Sequence, residues 1–184
     1  EEFNNGAWSN SGNMIVTVNA GIAPDGTLTA EGLVDSTGGG GHFLINATAI
    51  VKPALALPYT FSCYFKKVTS PSVRLTLVGT GTGTLNVGIN LDTGEFTTTA
   101  VAASGFTNAS ATVTNVGNGW WRLTATATTS TETSLTCRIY SFDNNSYTAT
   151  GAYAVQIWGA QVNQGTLQDY SRTVASPRLG SQNL

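Results

Sequence analysis

Charge is the scarcest commodity in this chain. Lys and Arg number 8 and Asp and Glu 10 among 184 residues, which is 10% of the chain and a net charge of −2. Soluble domains carry about 25% charged residues, and helical surfaces depend on them, so a mostly helical protein is excluded. The few Lys and Arg are scattered, and nucleic acid, which needs a basic stripe, is excluded as a partner. A single histidine, His42, removes most metal clusters and most nucleophile–histidine arrangements. The two cysteines, Cys63 and Cys137, form no CxxC motif, so zinc is not expected. Whether they stay free thiols on inward strand positions or join in a disulfide is left open. No run approaches 18 apolar residues, so no transmembrane helix and no membrane partner are expected. The opening Glu1-Glu2-Phe3-Asn4-Asn5 is acidic and polar, which does not read as a secretion signal and leaves the compartment open.

What the chain does have is Thr (29), Gly (21), Ser (15) and Asn (15), a composition of short strands and turns. Period-two alternation predicts strands near residues 14–18, 28–34, 42–51, 59–66, 73–78, 85–91, 96–98, 111–116, 120–126, 135–142 and 152–162. Residues 38–41 read as a flexible glycine connector. Turns are marked by Pro24-Asp25-Gly26, Asp92-Thr93-Gly94-Glu95, Gly117-Asn118-Gly119 and Asp143-Asn144-Asn145-Ser146. Phe61, Cys63 and Phe65 face one way, with Thr60, Ser62, Tyr64 and Lys66 opposite. Val73, Leu75 and Leu77 repeat the pattern, as do Leu85, Val87, Ile89 and Leu91. The strand at 120–126 is expected to pair with that at 135–142. So many half-apolar strands need two packed layers, which predicts an all-β antiparallel β-sandwich of jelly-roll type.

Chemistry is harder to find. Glycoside hydrolysis requires two converging carboxylates, whereas Asp25, Asp92, Asp143 and Glu95 fall in turns, where acids serve backbone hydrogen bonds. No serine sits in a nucleophile-elbow context near His42, and the run from Gly79 to Thr84 lacks the strand–loop–helix frame and lysine of a phosphate loop. No enzyme activity and no cofactor are expected. Structural calcium stays possible at Asp143-Asn144-Asn145 or Pro24-Asp25-Gly26, since turn oxygens suit that ion. The outward strand positions are more suggestive, because sugars stack their C–H faces on aromatic rings and take hydrogen bonds from amide and guanidinium groups. Tyr64, Lys66, Arg74 and Asn86 fall on that side, with Asn90, Arg138 and Tyr140. Gln156 and Trp158 share one parity of the final strand. If these strands are neighbours in one sheet, the residues line a shallow groove. Trp8, Trp120 and Trp121 read as packing or interface residues.

The order of motifs resembles a known family. Ala23-Pro24-Asp25-Gly26-Thr27-Leu28-Thr29-Ala30 is followed by Tyr59-Thr60-Phe61-Ser62 with Lys66, then Leu91-Asp92-Thr93-Gly94. Gly117-Asn118-Gly119-Trp120-Trp121-Arg122, Trp158-Gly159-Ala160-Gln161 and Asp169-Tyr170-Ser171-Arg172-Thr173 complete the series. The series is similar to the carbohydrate-binding-module-like jelly-roll domains of bacteriophage tail-fibre, tail-spike and other virion proteins. It departs at Ser171, where an apolar residue usually follows the tyrosine. The resemblance implies one domain over residues 1–173, with a polar tail at 174–184. It further implies a non-catalytic module that binds a polysaccharide or cell-surface glycan in an extracellular or virion-associated protein. A structural or oligomerisation module of a virion is the alternative, as a homo-oligomer or within a larger multidomain parent.

Overall fold

A computed structural model describes residues 3–171 except 82 and 145. The polar tail expected at 174–184 lies outside the described residues. The described residues form fifteen strands and no helix. The first seven are β1 (Trp8–Ser11), β2 (Ile15–Gly21), β3 (Ala30–Val34), β4 (Thr37–Gly40), β5 (Phe43–Asn46), β6 (Ile50–Val51) and β7 (Pro58–Lys67). They are followed by β8 (Ser72–Gly79), β9 (Thr84–Asn90), β10 (Phe96–Ala103) and β11 (Thr107–Gly117). The last four are β12 (Trp120–Thr128), β13 (Ser134–Tyr140), β14 (Tyr147–Thr150) and β15 (Ala154–Gln164). All pair antiparallel. One sheet runs β1-β5-β13-β8-β9-β10, with β6 also on β13, and the second runs β11-β12-β7-β15-β3-β2. A two-stranded clip, β4 with β14, stands apart.

The alternation in the sequence builds the core. Phe61, Cys63 and Phe65 of the second sheet meet Val73, Leu75, Leu77, Leu85, Val87 and Ile89 of the first in one buried cluster. Fully burying a side chain of this kind contributes roughly 1.5–3 kcal/mol. Cys63 and Cys137 are both buried free thiols, and burial pushes the Cys137 thiol up beyond its ordinary range. The fold is an all-β antiparallel sandwich of jelly-roll type.

Several strand expectations are corrected. The predicted strand at 42–51 is two strands because the Asn46 side chain takes over the ladder. Its Oδ1 accepts Cys137 N–H at 2.6 Å, and its Nδ2 donates to the Thr48 carbonyl at 2.6 Å. The glycine run expected as a flexible connector is β4, ordered by pairing with β14 from Tyr147↔Gly40 to Thr150↔Thr37. β12 does not pair with β13. It pairs with β11 and β7, while β13 lies in the other sheet against β8 and β5. Period-two patterning assigns faces, but the choice of neighbour depends on contacts distant in sequence.

Two buried polar arrangements tie the ends of the sandwich. Lys52, 3% exposed, donates from Nζ to the carbonyls of Pro53 (2.9 Å), Leu55 (3.0 Å), Ser130 (3.0 Å) and Glu132 (2.6 Å), joining the loops that precede β7 and β13. At the β4–β14 clip, His42 is buried with Nδ1 2.7 Å from the Gly12 carbonyl and Nε2 3.1 Å from that of Gly38. The Tyr147 ring lies 4.9 Å from the imidazole. Burial pushes the Tyr147 phenol up to about 12, with the Ser141 hydroxyl pulling back and the Asp35 carboxylate pushing further.

The folded chain therefore holds the Tyr147 proton where the unfolded chain, with a phenol near 10, has released it. Between pH about 10 and 12 the unfolded state binds fewer protons, so stability falls as pH rises. Tyr147→Phe should flatten that alkaline decline, as read from urea midpoints across the pH series. An unchanged slope would contradict the assignment.

Candidate functional site

The outer face of the second sheet is built by β12, β7 and β15. Register places Arg122 beside Tyr64 and Tyr64 beside Trp158, all on the side away from the core. Keeping both halves of β15 in phase takes one extra residue. Trp158 pairs with Tyr64 but Gln161 pairs with Ser62, so a bulge lies at Gly159-Ala160. Gly159 has φ +63°, the left-handed conformation that glycine adopts without a Cβ penalty. A Cβ there would stand 2.8 Å from Cδ2 of Tyr64. The bulge sends Val162 back toward the core beside Phe61, while Trp158 and Gln161 both remain outside.

This outer face is covered, not bare. After β15 the chain returns across it, with the Gln168 carbonyl accepting from Arg122 Nη2 at 3.1 Å and Ser171 N–H donating to Gln161 Oε1 at 3.2 Å. Tyr170 arrives against Trp158, ring centroids 4.4 Å apart, and against Tyr64 at 6.4 Å. Tyr64 and Trp158 meet edge-on at 5.3 Å. Trp158 donates from Nε1 to Thr29 Oγ1 at 3.1 Å, and Trp120 from its own Nε1 to the Ile22 carbonyl at 3.1 Å. Ala23, Ala30, Tyr64, Trp120 and Trp158 form a second buried cluster, separate from the sandwich core. The Arg122 guanidinium lies 5.1 Å over the Tyr64 ring, a cation–π contact. Burial raises the Tyr64 phenol, Arg122 opposes that shift, and Cys63 and Asp169 add to it.

Beside this cluster the surface opens into a recess of about 410 Å³, lined by Pro24, Asp25, Tyr64, Trp158 and Tyr170. The recess is wide open to solvent, and its described walls are three aromatic rings, Pro24 and Asp25. Its rim is the Pro24-Asp25-Gly26 turn, closed by Gly26 N–H to the Ala23 carbonyl at 3.0 Å. Asp25 Oδ1 accepts from Thr27 N–H and Thr27 Oγ1 at 2.9 and 2.6 Å, which holds the carboxylate at the mouth. Asp25 is the one carboxylate among the described lining residues.

The eight residues expected to share one groove divide between two sheets. Tyr64, Lys66, Gln156 and Trp158 belong to the second sheet, but of these Tyr64 and Trp158 line the recess. Lys66 and Gln156 pair with each other one step along, and Gln156 gives its amide to the Ala20 carbonyl at 3.0 Å. Arg74, Asn86, Arg138 and Tyr140 lie on β8, β9 and β13 of the first sheet, whose outer face points the opposite way. A single groove of all eight is therefore corrected. The alternation placed Tyr64, Lys66, Arg74, Asn86, Arg138 and Tyr140 outside the core and left the face of Gln156 and Trp158 open, and the strand order, which alternation cannot give, separated the set.

On the first sheet most of these groups are engaged by neighbours, while the buried Arg138 Nε has no hydrogen-bond partner among the described residues. Arg74 Nε donates to Asp143 Oδ1 at 2.5 Å, and the other oxygen of that carboxylate accepts from Thr97 Oγ1 and from Thr98 Oγ1 at 2.9 Å. Asp143, read as a possible calcium ligand, is thus an ion-pair partner in this structure. Asn86 Oδ1 accepts from Thr76 Oγ1 at 2.8 Å, and Arg138 lies 4.8 Å over the Phe43 ring. Tyr140 is 3% exposed, packed between Phe43 at 5.0 Å and the Arg74 guanidinium at 6.0 Å. Sequence reasoning missed Pro24, Asp25 and Tyr170 as lining groups. Tyr170 gave a signal, since it is the sole aromatic residue after Trp158.

No protein-family model matches this chain, and no curated protein does. Solved structures of similar shape include the Clostridium thermocellum endo-1,4-β-D-xylanase 10B, in its CBM22-1–GH10 modules complexed with xylohexaose. That match has 13% identity and a TM-score of 0.47, and covers 91% of this chain and 28% of that one. Another is the enzymatically active domain of bacteriophage CBA120 tailspike protein 4, at 11% identity and a TM-score of 0.48, covering 88% and 20%. The chain therefore spans less than a third of the length of either.

The recess depends on Gly159. Gly159→Ala should cost about 2 kcal/mol through left-handed strain and collision with Tyr64, and should change the near-ultraviolet circular dichroism of the aromatic cluster. Gly165 has φ +83° but open space around its Cβ position, so Gly165→Ala should leave that signal intact. Equal spectral changes in both variants would contradict the account.

Proposed function

We propose that this chain is a non-catalytic glycan-binding module that seats a sugar unit of a polysaccharide or cell-surface glycan in the recess at Tyr170. The observation that carries the reading is the recess itself: three aromatic rings converge with Pro24 on an open cavity that has a carboxylate at its mouth. Tyr170 is the most accessible of the rings, and its face suits the C–H side of a pyranose. Asp25 is placed to accept hydrogen bonds from hydroxyls at the rim, and Trp158 and Tyr64 form the floor. The network on the first sheet is a weaker seat, because Arg74 and Asn86 already have partners and Tyr140 is covered.

The motif order supports an extracellular or virion-associated setting, since it is similar to that of phage tail-fibre and tail-spike domains. The blocks that carry the likeness gather at this place. Pro24-Asp25-Gly26 forms the rim, Trp158-Gly159-Ala160-Gln161 the floor and bulge, and Asp169-Tyr170-Ser171 the cover. Binding without turnover is the chemistry assigned to these groups, with Asp25 as the carboxylate at the mouth.

Calorimetric titration against an oligosaccharide panel should give weak, saturable binding accompanied by a change in tryptophan fluorescence. Tyr170→Ala and Asp25→Asn should each weaken it at least tenfold, while Tyr140→Ala on the far sheet leaves it unchanged. No binding across the panel at millimolar sugar, or loss with Tyr140→Ala alone, would overturn the proposal.

A further inference from the structure

Residues 96–121 contain no Asp, Glu, Lys or Arg. This stretch supplies β10 and β11, which end the first and second sheets and lie against each other on one side of the sandwich. Edge strands present unpaired N–H and C=O groups, and natural sheets guard them with charge, proline, bulges or short length. β11 has eleven residues and no proline. From Ser110 to Asn115, between register shifts at Thr107/Ser110 and Asn115/Gly117, it pairs with β12 without a break, so this central part of the edge carries no bulge. The sequence Ala109-Ser110-Ala111-Thr112-Val113-Thr114 is neutral, lacks glycine and proline, and ends in three strand-forming residues, features that favour strand-to-strand association.

The core beneath this edge is also incompletely closed. Ala109, Ala111 and Val113 of β11 and Ala100 and Ala102 of β10 face the core yet remain partly exposed, because their side chains are small and, among the described residues, no further strand lies beyond them. Ser110, Thr112 and Thr114 alternate with the inward residues of β11 and are exposed on its outer side. Val101 of β10 is 51% exposed.

We infer that β11 is a self-association edge, pairing antiparallel with β11 of a second copy of this chain so that the six-stranded sheets join. A second copy is the occupant these features fit. An edge without charge has no electrostatic means to select an unlike partner, and it is complementary to itself. Any two-fold antiparallel register that keeps core faces on the core side sets Thr and Ser against Thr and Ser, and Ala and Val against Ala and Val. Such a pair gives otherwise unpaired backbone groups their partners and covers the half-exposed alanines. Six unbroken residues at about 3.4 Å each, along an edge about 20 Å thick (two layers about 10 Å apart plus side chains), give roughly 400 Å² per partner. Standard stable interfaces bury about 800 Å² per partner, so this smaller area fits a weak, reversible dimer. The inference is independent of the glycan seat, which lies on the outer face of the sheet.

Sedimentation equilibrium of the full chain over a range of concentrations should show a reversible monomer–dimer equilibrium. The exposed pair Thr112→Lys with Thr114→Lys places four ammoniums on one seam and should raise the dimer dissociation constant at least a hundredfold, as should Thr112→Glu with Thr114→Glu. Mixing the Lys and Glu variants should restore association, a result that simple misfolding would not give. Amide hydrogen exchange of the unaltered protein supplies a readout independent of the variants, since protection within 110–115 should rise with protein concentration. A monomer at all concentrations up to about 1 mM, a dimer indifferent to both charge pairs, or concentration-independent exchange would each overturn the inference.

Discussion

One inserted residue in β15 sets the arrangement of the outer face on the second sheet. A strand without it would carry Val162 outward and Gln161 inward once Trp158 had been placed against Tyr64, reversing polarity over the rest of the strand. The bulge at Gly159-Ala160 restores the phase, so Ile157 and Val162 both meet the core while Trp158 and Gln161 both stay outside. Gln161 then holds the returning chain through Ser171, and that return brings Tyr170 over Trp158. Recess, aromatic cluster and cover thus follow from a local change of register that glycine makes inexpensive.

The two outer faces solve the same problem differently. A sheet whose inner side fills the core must still satisfy polar and aromatic groups on its other side. The first sheet does so by pairing across strands, with Asp143 reaching from the loop after β13 to Arg74 on β8 and the threonines of β10. The second sheet uses a returning segment and a small apolar cluster. β7, central in that sheet, is consequently buried on both sides, including Thr60 and Ser62, which are fully covered. Burial of such hydroxyls requires partners, and Thr60 finds them in Thr126 Oγ1 and the Gly165 carbonyl.

Much of this was legible in the sequence, and the rest had physical reasons to be hidden. Alternation at Phe61, Cys63 and Phe65 and at Leu85, Val87 and Ile89 assigned faces correctly, because a pleated strand allows two directions alone. The turn at Asp92-Thr93-Gly94-Glu95 was equally readable, and Asn90 Oδ1 accepts the N–H groups of Asp92 and Thr93 as an asparagine before a tight turn does. Sheet membership was not readable. Tyr64 and Tyr140 share a parity relative to the core and still lie on opposite outer surfaces. Gln156 and Trp158 could not be given a face, since Val155 and Ile157 and the following bulge blur the alternation. Glycine in residues 38–41 suggested flexibility, but β4 draws its order from β14, more than a hundred residues away in sequence.

The ammonium of Lys52 fills the place that a bound ion occupies in many loop junctions, held by four backbone carbonyls from two separate loops. A metal in such a cage can be diluted away or stripped by a chelator. This charge is fastened to the polypeptide, and that joint persists however scarce free ions become. Its weakness is of another kind: acylation of the amine would remove the charge and crowd the cage together. Because the group is sealed while both loops are in place, the speed of its acylation would measure how often they part.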